Sequence, residues 1–234
     1  TKTFTQQTYR LTNEGAADLG MVCGGQVTVW FTYLPPAEIP DLAAGRFLTL
    51  TEGGGAAVSD HSEPGVHGGR FSVALQRPGM VYLFGGGHVS QALAPVLDRI
   101  DFAVTVVEER PEFLSPDLFP TARALVRADF FRLSDALTLT ADDYAIVMTR
   151  GHQADLEILL QILRSPARYV GCIGSRKKVA YTQDKLREAG IDEARIQSLH
   201  SPIGLAIGAE TPAEIAVSIA AQLIAHRAGA EISD

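Results

Sequence analysis

Met80-Val81-Tyr82-Leu83-Phe84 runs straight into Gly85-Gly86-Gly87-His88, and this junction constrains the fold more than any other stretch. Five apolar residues followed by three glycines read as a buried strand and a tight turn. Val89, Leu93, Val96, Leu97 and Ile100 then share one face of a helix. Glycines let the backbone bend sharply and let an anionic group come close, while the first helical turn points unpaired N–H groups at that anion. Gly85-x-Gly87 supplies the first two glycines of the dinucleotide-binding fingerprint. Ser90 stands where a third glycine or alanine is expected, so the match is incomplete. Ala103-Val104-Thr105-Val106-Val107 reads as a second buried strand and ends in Glu108-Glu109. That places a carboxylate about 20 positions after the turn, where ribose-binding carboxylates sit. A structural glycine turn without a ligand is the plainer account. The agreement of turn, helix and carboxylate favours a ligand.

The same alternation continues to the end of the chain. Leu125-Val126 suggests a short third strand, and Tyr144-Ala145-Ile146-Val147-Met148 a fully apolar one. The latter runs into Thr149-Arg150-Gly151-His152 and a helix with Leu156, Leu159, Leu160 and Leu163 on one face. Arg168-Tyr169-Val170-Gly171-Cys172-Ile173 is the next strand. Gly174-Ser175-Arg176-Lys177-Lys178 opens a helix that runs to Glu188, with Gly190 as its stop. Thr211, Pro212 and Glu214 form a helix start with a capping box, ahead of the buried stripe Ile215, Ile219 and Leu223. Strand–helix alternation of this kind gives an α/β fold, a Rossmann-like doubly wound parallel sheet.

The first third reads differently. Residues 1–20 are polar and carry little signal. From Gln26 to Tyr33 the residues alternate, with Val27, Val29, Phe31 and Tyr33 on one face, as in an antiparallel sheet. Cys23-Gly24-Gly25 opens that strand. On residues alone Cys23 is a small buried thiol beside a bulge, although the glycines also leave it open to approach. Arg46 to Thr51 is a further strand, and Asp60 to Gly69 reads as a mobile, turn-rich stretch. Arg77-Pro78-Gly79 marks a change of pattern. The chain is therefore divided into a smaller β-rich or α+β part, 1–77, and the Rossmann-like part, 78–234. It begins at Thr1 and quickly enters what looks like the middle of a fold, so it reads as a fragment lacking an upstream part.

In a doubly wound sheet every loop that follows a strand lies on one edge, where ligands bind. This gathers the turn Gly85, Gly86, Gly87 and His88, the loop with Arg150, Gly151 and His152, and the helix start Gly174, Ser175, Arg176, Lys177 and Lys178. The stretch from His200 to Leu205 is expected beside them. With Glu108, these glycines, cations and open helix N-termini suit a phosphate-bearing ligand. The plainer account makes Lys177 and Lys178 a solvated helix face and the histidines helix caps. A metal held by His88, His152, Asp155 and His200 is the rival, but the spacing is not diagnostic, and no metal site is assigned. There is no Gly-x-Ser-x-Gly elbow and no P-loop, which argues against hydrolase and NTPase chemistry.

Composition narrows the class. The 234 residues are 46% hydrophobic and 20% charged, an ordinary globular balance. A net charge of −7 with no long basic run argues against nucleic acid. No apolar run approaches a membrane span. Two cysteines, Cys23 and Cys172, lie far apart, and reduced thiols in a cytoplasmic protein are the expectation.

Taken in order, Tyr82-Leu83-Phe84-Gly85-Gly86-Gly87-His88-Val89, Val107-Glu108-Glu109-Arg110-Pro111, Thr149-Arg150-Gly151-His152, Gly171-Cys172-Ile173-Gly174-Ser175-Arg176 and Pro202-Ile203-Gly204-Leu205 resemble a known family. So does Glu210-Thr211-Pro212-Ala213-Glu214-Ile215-Ala216. The set is similar to the xanthine dehydrogenase accessory (XdhC/CoxI) family, over about Pro78 to Arg227. Cys23-Gly24-Gly25 with its two-faced strand is similar to the end of that family's N-terminal domain. The resemblance implies a factor that binds molybdenum cofactor (molybdopterin) and aids its sulfuration and insertion into a xanthine dehydrogenase-type molybdoenzyme. It implies a cofactor-binding chaperone more than a catalyst. Cys23 then becomes a candidate for handling the cofactor, and a cysteine desulfurase and a second copy of the chain become candidate partners. The alternative from the residues is an NAD(P)-dependent oxidoreductase or a dinucleotide-binding regulatory protein, since fold alone does not choose.

Overall fold

The computed structural model describes residues 4–11, 25–42, 46–75 and 79–230, with side chains for all of these except residues 10, 11, 25, 176 and 177. Cys23 and Gly24, and with them the expected role of that thiol, lie outside the described residues. The chain falls into two compact units, Thr1–Arg77 and Pro78–Asp234.

The first unit is all β among its longer elements. β1 (Thr5–Leu11) pairs antiparallel with β2 (Gly25–Phe31), Tyr9 opposite Val27. β3 (Phe47–Thr51), β4 (Ala56–Ser59), β5 (Gly65–His67) and β6 (Arg70–Ala74) form an antiparallel sheet in the order β4-β3-β6-β5. The stretch read as a mobile loop therefore contains β5, paired with β6 through Val66 and Phe71. β1 escapes a sequence reading because Thr-Gln-Gln-Thr carries too few apolar residues to show a period, and its ladder bonds hold it regardless. Trp30 meets Phe4 edge-on at 5.3 Å and lies 6.4 Å from Phe71. Ser72 is the one buried residue described in this unit, and its hydroxyl meets those of Thr49 and Ser62.

The second unit alternates as its apolar runs require. Its elements are β7 (Met80–Phe84), α1 (His88–Arg99), β8 (Ala103–Glu108), β9 (Ala124–Arg127), β10 (Tyr144–Val147) and α2 (His152–Ile162). β11 (Tyr169–Cys172), α3 (Arg176–Glu188), α4 (Glu193–Gln197), β12 (Leu199–His200) and α5 (Pro212–Ala228) complete it. The six strands are parallel, in the order β12-β11-β10-β7-β8-β9. This is the doubly wound Rossmann order, in which the direction of winding reverses between β7 and β10.

Two cores follow from the period of two in the strands. Val81, Leu83, Val104, Val106 and Ile146 face α1 and α5, where Leu93, Leu97, Ile219 and Leu223 meet them. Phe84, Val107, Ala145, Val147 and Val170 face the other way, against Ile158, Leu159 and Ile162 of α2 and Leu186 of α3. Leu93, Leu97, Ile158 and Leu159 are wholly excluded from water. Each such side chain contributes about 1.5–3 kcal/mol. Helix ends are set locally. Thr211 Oγ1 accepts from the Glu214 amide, Glu214 accepts from the Thr211 amide at 2.9 Å, and Gly229 closes α5 in the left-handed region at φ 65°.

Candidate functional site

The turn after β7 is fixed from several directions. Gly85 has φ +108°, which favours glycine, and a Cβ there would lie 2.6 Å from the Met148 carbonyl oxygen. Its amide donates to the Val107 carbonyl at 2.8 Å. A Cβ on Gly86 would lie 2.5 Å from the Phe113 carbonyl oxygen. Close backbone approach therefore accounts for both glycines, and it brings the loops after β7, β8 and β10 together. The carbonyls of the turn are also held: Ser90, fully buried, donates its hydroxyl to Gly85, and Gln91 Nε2 donates to Gly86 at 2.9 Å. Ser90 thus occupies the third fingerprint position with its polar atom satisfied inside the turn.

Gly87 is different. Its backbone is extended (φ −72°, ψ −179°), which any residue adopts, and a Cβ there would meet nothing within 4 Å. Neither strain nor crowding requires glycine at this position. The missing side chain leaves clear space in front of α1, whose N-terminus has no side-chain cap. Gly151 repeats this arrangement at α2: φ −136°, no side-chain cap, and nothing within 4 Å of a Cβ. α3, α4 and α5 are all capped, by Ser175, Asp192 and Thr211. The two uncapped helices are those that follow β7 and β10, on either side of the reversal. Uncapped first turns present free N–H groups and a positive dipole end, the pattern that receives anions.

Asp155 anchors the second loop. It is 1% exposed, and Oδ1 accepts from the Thr149 amide at 3.0 Å and its hydroxyl at 2.6 Å, while Oδ2 pairs with Lys178 Nζ at 2.6 Å. Lys178 is therefore not a solvated helix face. Its stem passes Gly174, where a Cβ would lie 3.4 Å from Lys178 Cδ. Arg150 is exposed and makes no ion pair with the described residues. His88 and His152 are exposed at the starts of α1 and α2, and His152 meets the Tyr181 ring at 6.5 Å. Ser175 is exposed and caps α3 at Lys178. Arg176 and Lys177 open that helix, but their side chains lie outside the described residues.

Two sequence expectations need correction. Glu108 does end β8 beside the turn, as a ribose carboxylate should, but it is 1% exposed and fully engaged. Oε2 accepts from the Gly86 amide and Arg110 Nη2, both at 2.9 Å. Oε1 accepts from the Glu109 amide at 3.0 Å, the Arg110 amide at 3.2 Å and Arg110 Nε at 3.1 Å. Burial pushes its carboxyl up, yet the Arg110 fork and the Gly86 and Arg110 amides outweigh this and hold it below the usual carboxylate range. The second correction is His200. It stacks on Tyr169 at 4.4 Å and meets His226 edge-on at 5.8 Å. His200 ends β12 opposite Gly171, and its ring turns back onto Tyr169, the first residue of β11, so it joins an aromatic cluster and not the glycine turn. With Asp155 paired to Lys178 and His200 elsewhere, the four-residue metal set does not assemble. Among the described residues no group of three His, Cys, Asp or Glu could hold a metal.

Thr149 and Arg110 stand in motifs read from the sequence, but without the roles they take here, and Phe113 was passed over. Their spacing does not show these roles, because each bonds or packs through a loop folded back onto the site. Cys172 is buried, and burial pushes its thiol up to about 12, consistent with a structural residue. No helix among the described residues is long and apolar enough to cross a membrane.

Comparison with known proteins agrees with this architecture. The family model of the XdhC Rossmann domain matches residues 81–223. The chain is 36% identical over 161 residues to the uncharacterized protein YqeB of Escherichia coli (strain K12), covering 67% of this chain and 29% of that protein. It is 31% identical over 145 residues to a probable xanthine dehydrogenase subunit of Bacillus subtilis (strain 168), covering 62% of this chain and 42% of that one. The chain thus spans less than half the length of either relative. The crystal structure of a xanthine dehydrogenase from Bacillus halodurans has the same fold, with a TM-score of 0.74 at 21% identity over 98% of this chain and 77% of that one. By its match to the XdhC Rossmann domain over residues 81–223, the chain belongs to the XdhC family of xanthine dehydrogenase accessory proteins.

Proposed function

We propose that this protein binds molybdenum cofactor at the reversal between β7 and β10, and delivers it to a xanthine dehydrogenase-type hydroxylase after aiding its sulfuration. One observation carries the reading: two uncapped helix N-termini, each behind an open glycine, face the same edge of the sheet. A pterin with a phosphate tail suits such a cradle. The tail takes free amides and a positive dipole end, and the absent Cβ atoms of Gly87 and Gly151 leave room for it. Arg150, exposed beside Gly151, adds a cation. The cofactor is cargo here, and the molybdenum chemistry is exercised in the recipient enzyme. Membership of the XdhC family supports the choice of cargo, and the xanthine dehydrogenase named among the relatives supports the choice of recipient.

Calorimetry with molybdopterin, and activation of a cofactor-free hydroxylase by the loaded protein, test the two halves of the reading. Saturable pterin binding and recovered hydroxylase activity are expected. Absence of pterin binding by a folded protein would remove the reading altogether.

A further inference from the structure

Glu108 and the segment after it do more than hold the glycine turn. Five N–H donors converge on its two oxygens: the amides of Gly86, Glu109 and Arg110, and Nε and Nη2 of Arg110. A carboxylate has about four lone-pair positions, so no acceptor remains for another donor. The Arg110 guanidinium also lies over the Phe113 ring at 4.1 Å. The Phe113 backbone sits on Gly86, where a Cβ would come within 2.5 Å of its oxygen. In a dinucleotide site of this strand order, the ribose of one nucleoside lies over the strand that ends in the acidic residue and uses that carboxylate for its hydroxyls. Here that carboxylate is saturated and the backbone of Phe113 covers the adjoining turn. On the other side, toward β10, the space in front of Gly87 and Gly151 is open.

We propose that Arg110 is a specificity-determining residue: its fork on Glu108 closes the ribose half of the site, leaving a half-site for one phosphate-bearing ring system and excluding dinucleotides. The inference rests on reading the reversal as a ligand site, but it concerns which ligands are refused. Freeing Glu108 restores a ribose acceptor. Arg110→Met removes the fork and keeps an apolar stem against Phe113. Arg110→Lys keeps the charge but cannot make the bidentate contact. Glu108 retains its amide donors in both variants, so the turn keeps most of its support.

The test is a fluorescence titration with NADH on the full chain, with molybdopterin binding measured in parallel. The wild type is expected to bind NADH at least about tenfold more weakly than either Arg110 variant, the discrimination that one polar contact supplies. Glu108→Ala added to Arg110→Met should abolish the gain, because the new affinity runs through the carboxylate. Circular dichroism checks each fold, and the Lys variant decides the matter if the Met variant is unfolded. Equal NADH affinity in the wild type and a folded Arg110 variant, whether tight or weak, would overturn the proposal. Failure of the cargo reading shows separately, as lack of pterin binding with the NADH pattern intact.

Discussion

The four glycines that flank the reversal divide by physical cause, and substitution should separate them. Gly85 has a positive φ and a carbonyl against its missing Cβ, so Gly85→Val is expected to cost roughly 2–4 kcal/mol of stability. Gly87→Val places its methyls in open space with an ordinary backbone. It should leave the unfolding free energy from urea titration unchanged within about 0.5 kcal/mol and abolish ligand binding. Paired urea titrations and calorimetry on the two variants check this. If Gly87→Val binds molybdopterin normally, the space in front of α1 is not where the tail sits. Cys172 offers a second residue-scale test. With its thiol pushed up to about 12 inside β11, it should resist alkylation in the native protein and react only on unfolding. Rapid native labelling of Cys172, followed by mass spectrometry, would contradict its structural role.

At the scale of elements, α2 and α3 are joined by the Asp155–Lys178 pair, whose carboxylate is 2% exposed and whose amine is 29% exposed. Removing one partner of a buried pair leaves the other uncompensated, at about 3–5 kcal/mol. Asp155→Ala is expected in that range, and Lys178→Met below it, because Asp155 keeps the Thr149 amide and hydroxyl. Chemical denaturation of both variants gives the comparison, and equal costs would show that Lys178 carries the whole interaction. Most elements of the second unit are legible in sequence. Thr211, Pro212 and Glu214 specify the start of α5 through bonds within one turn, and the apolar run from Tyr144 to Val147 can only be a buried strand. α4 and β1 are not legible. α4 is a five-residue helix set by Asp192 and tertiary contact, and β1 is defined by its partner β2 rather than by its own pattern.

Across the second unit as a whole, acid should loosen the fold in two stages. His200 and His226 sit among Tyr144 and Tyr169, with Phe102 packed edge-on against Tyr144. Burial lowers both imidazoles, and His200 and Arg168 lower His226 further. Both rings thus protonate less readily in the folded state than in the unfolded chain, which takes up protons below about pH 6.5. The stability they confer is complete above that value and is lost as pH falls from it toward the lower folded values. Glu108, whose carboxyl is held low, contributes stability above the ordinary carboxylate value that is lost at more acid pH. Urea titrations from about pH 7.5 down to about 5.5 should show the first loss, and His226→Phe should flatten it. An unchanged slope in that variant would show that the cluster does not govern the transition.

The sequence by itself determined most of the parallel sheet, its longer helices and the location of the glycine turn, because these follow from periodicity, caps and turn chemistry within about ten residues of one another. It also marked Gly87, Arg150 and Gly151 as residues of one edge, since a doubly wound sheet puts every such loop there. The tertiary structure alone decided what each side chain does at that edge. Asp155 is a candidate ligand only until Lys178 meets it, and Glu108 a ribose acceptor only until Arg110 and Gly86 fill it. His200 belongs at the ligand edge only until Tyr169 claims its ring. Each of these outcomes depends on a partner that packing brings close, at separations in sequence from 2 to 31 residues. A buried polar group takes whichever partner satisfies it at least cost, and only the folded chain determines which one is within reach.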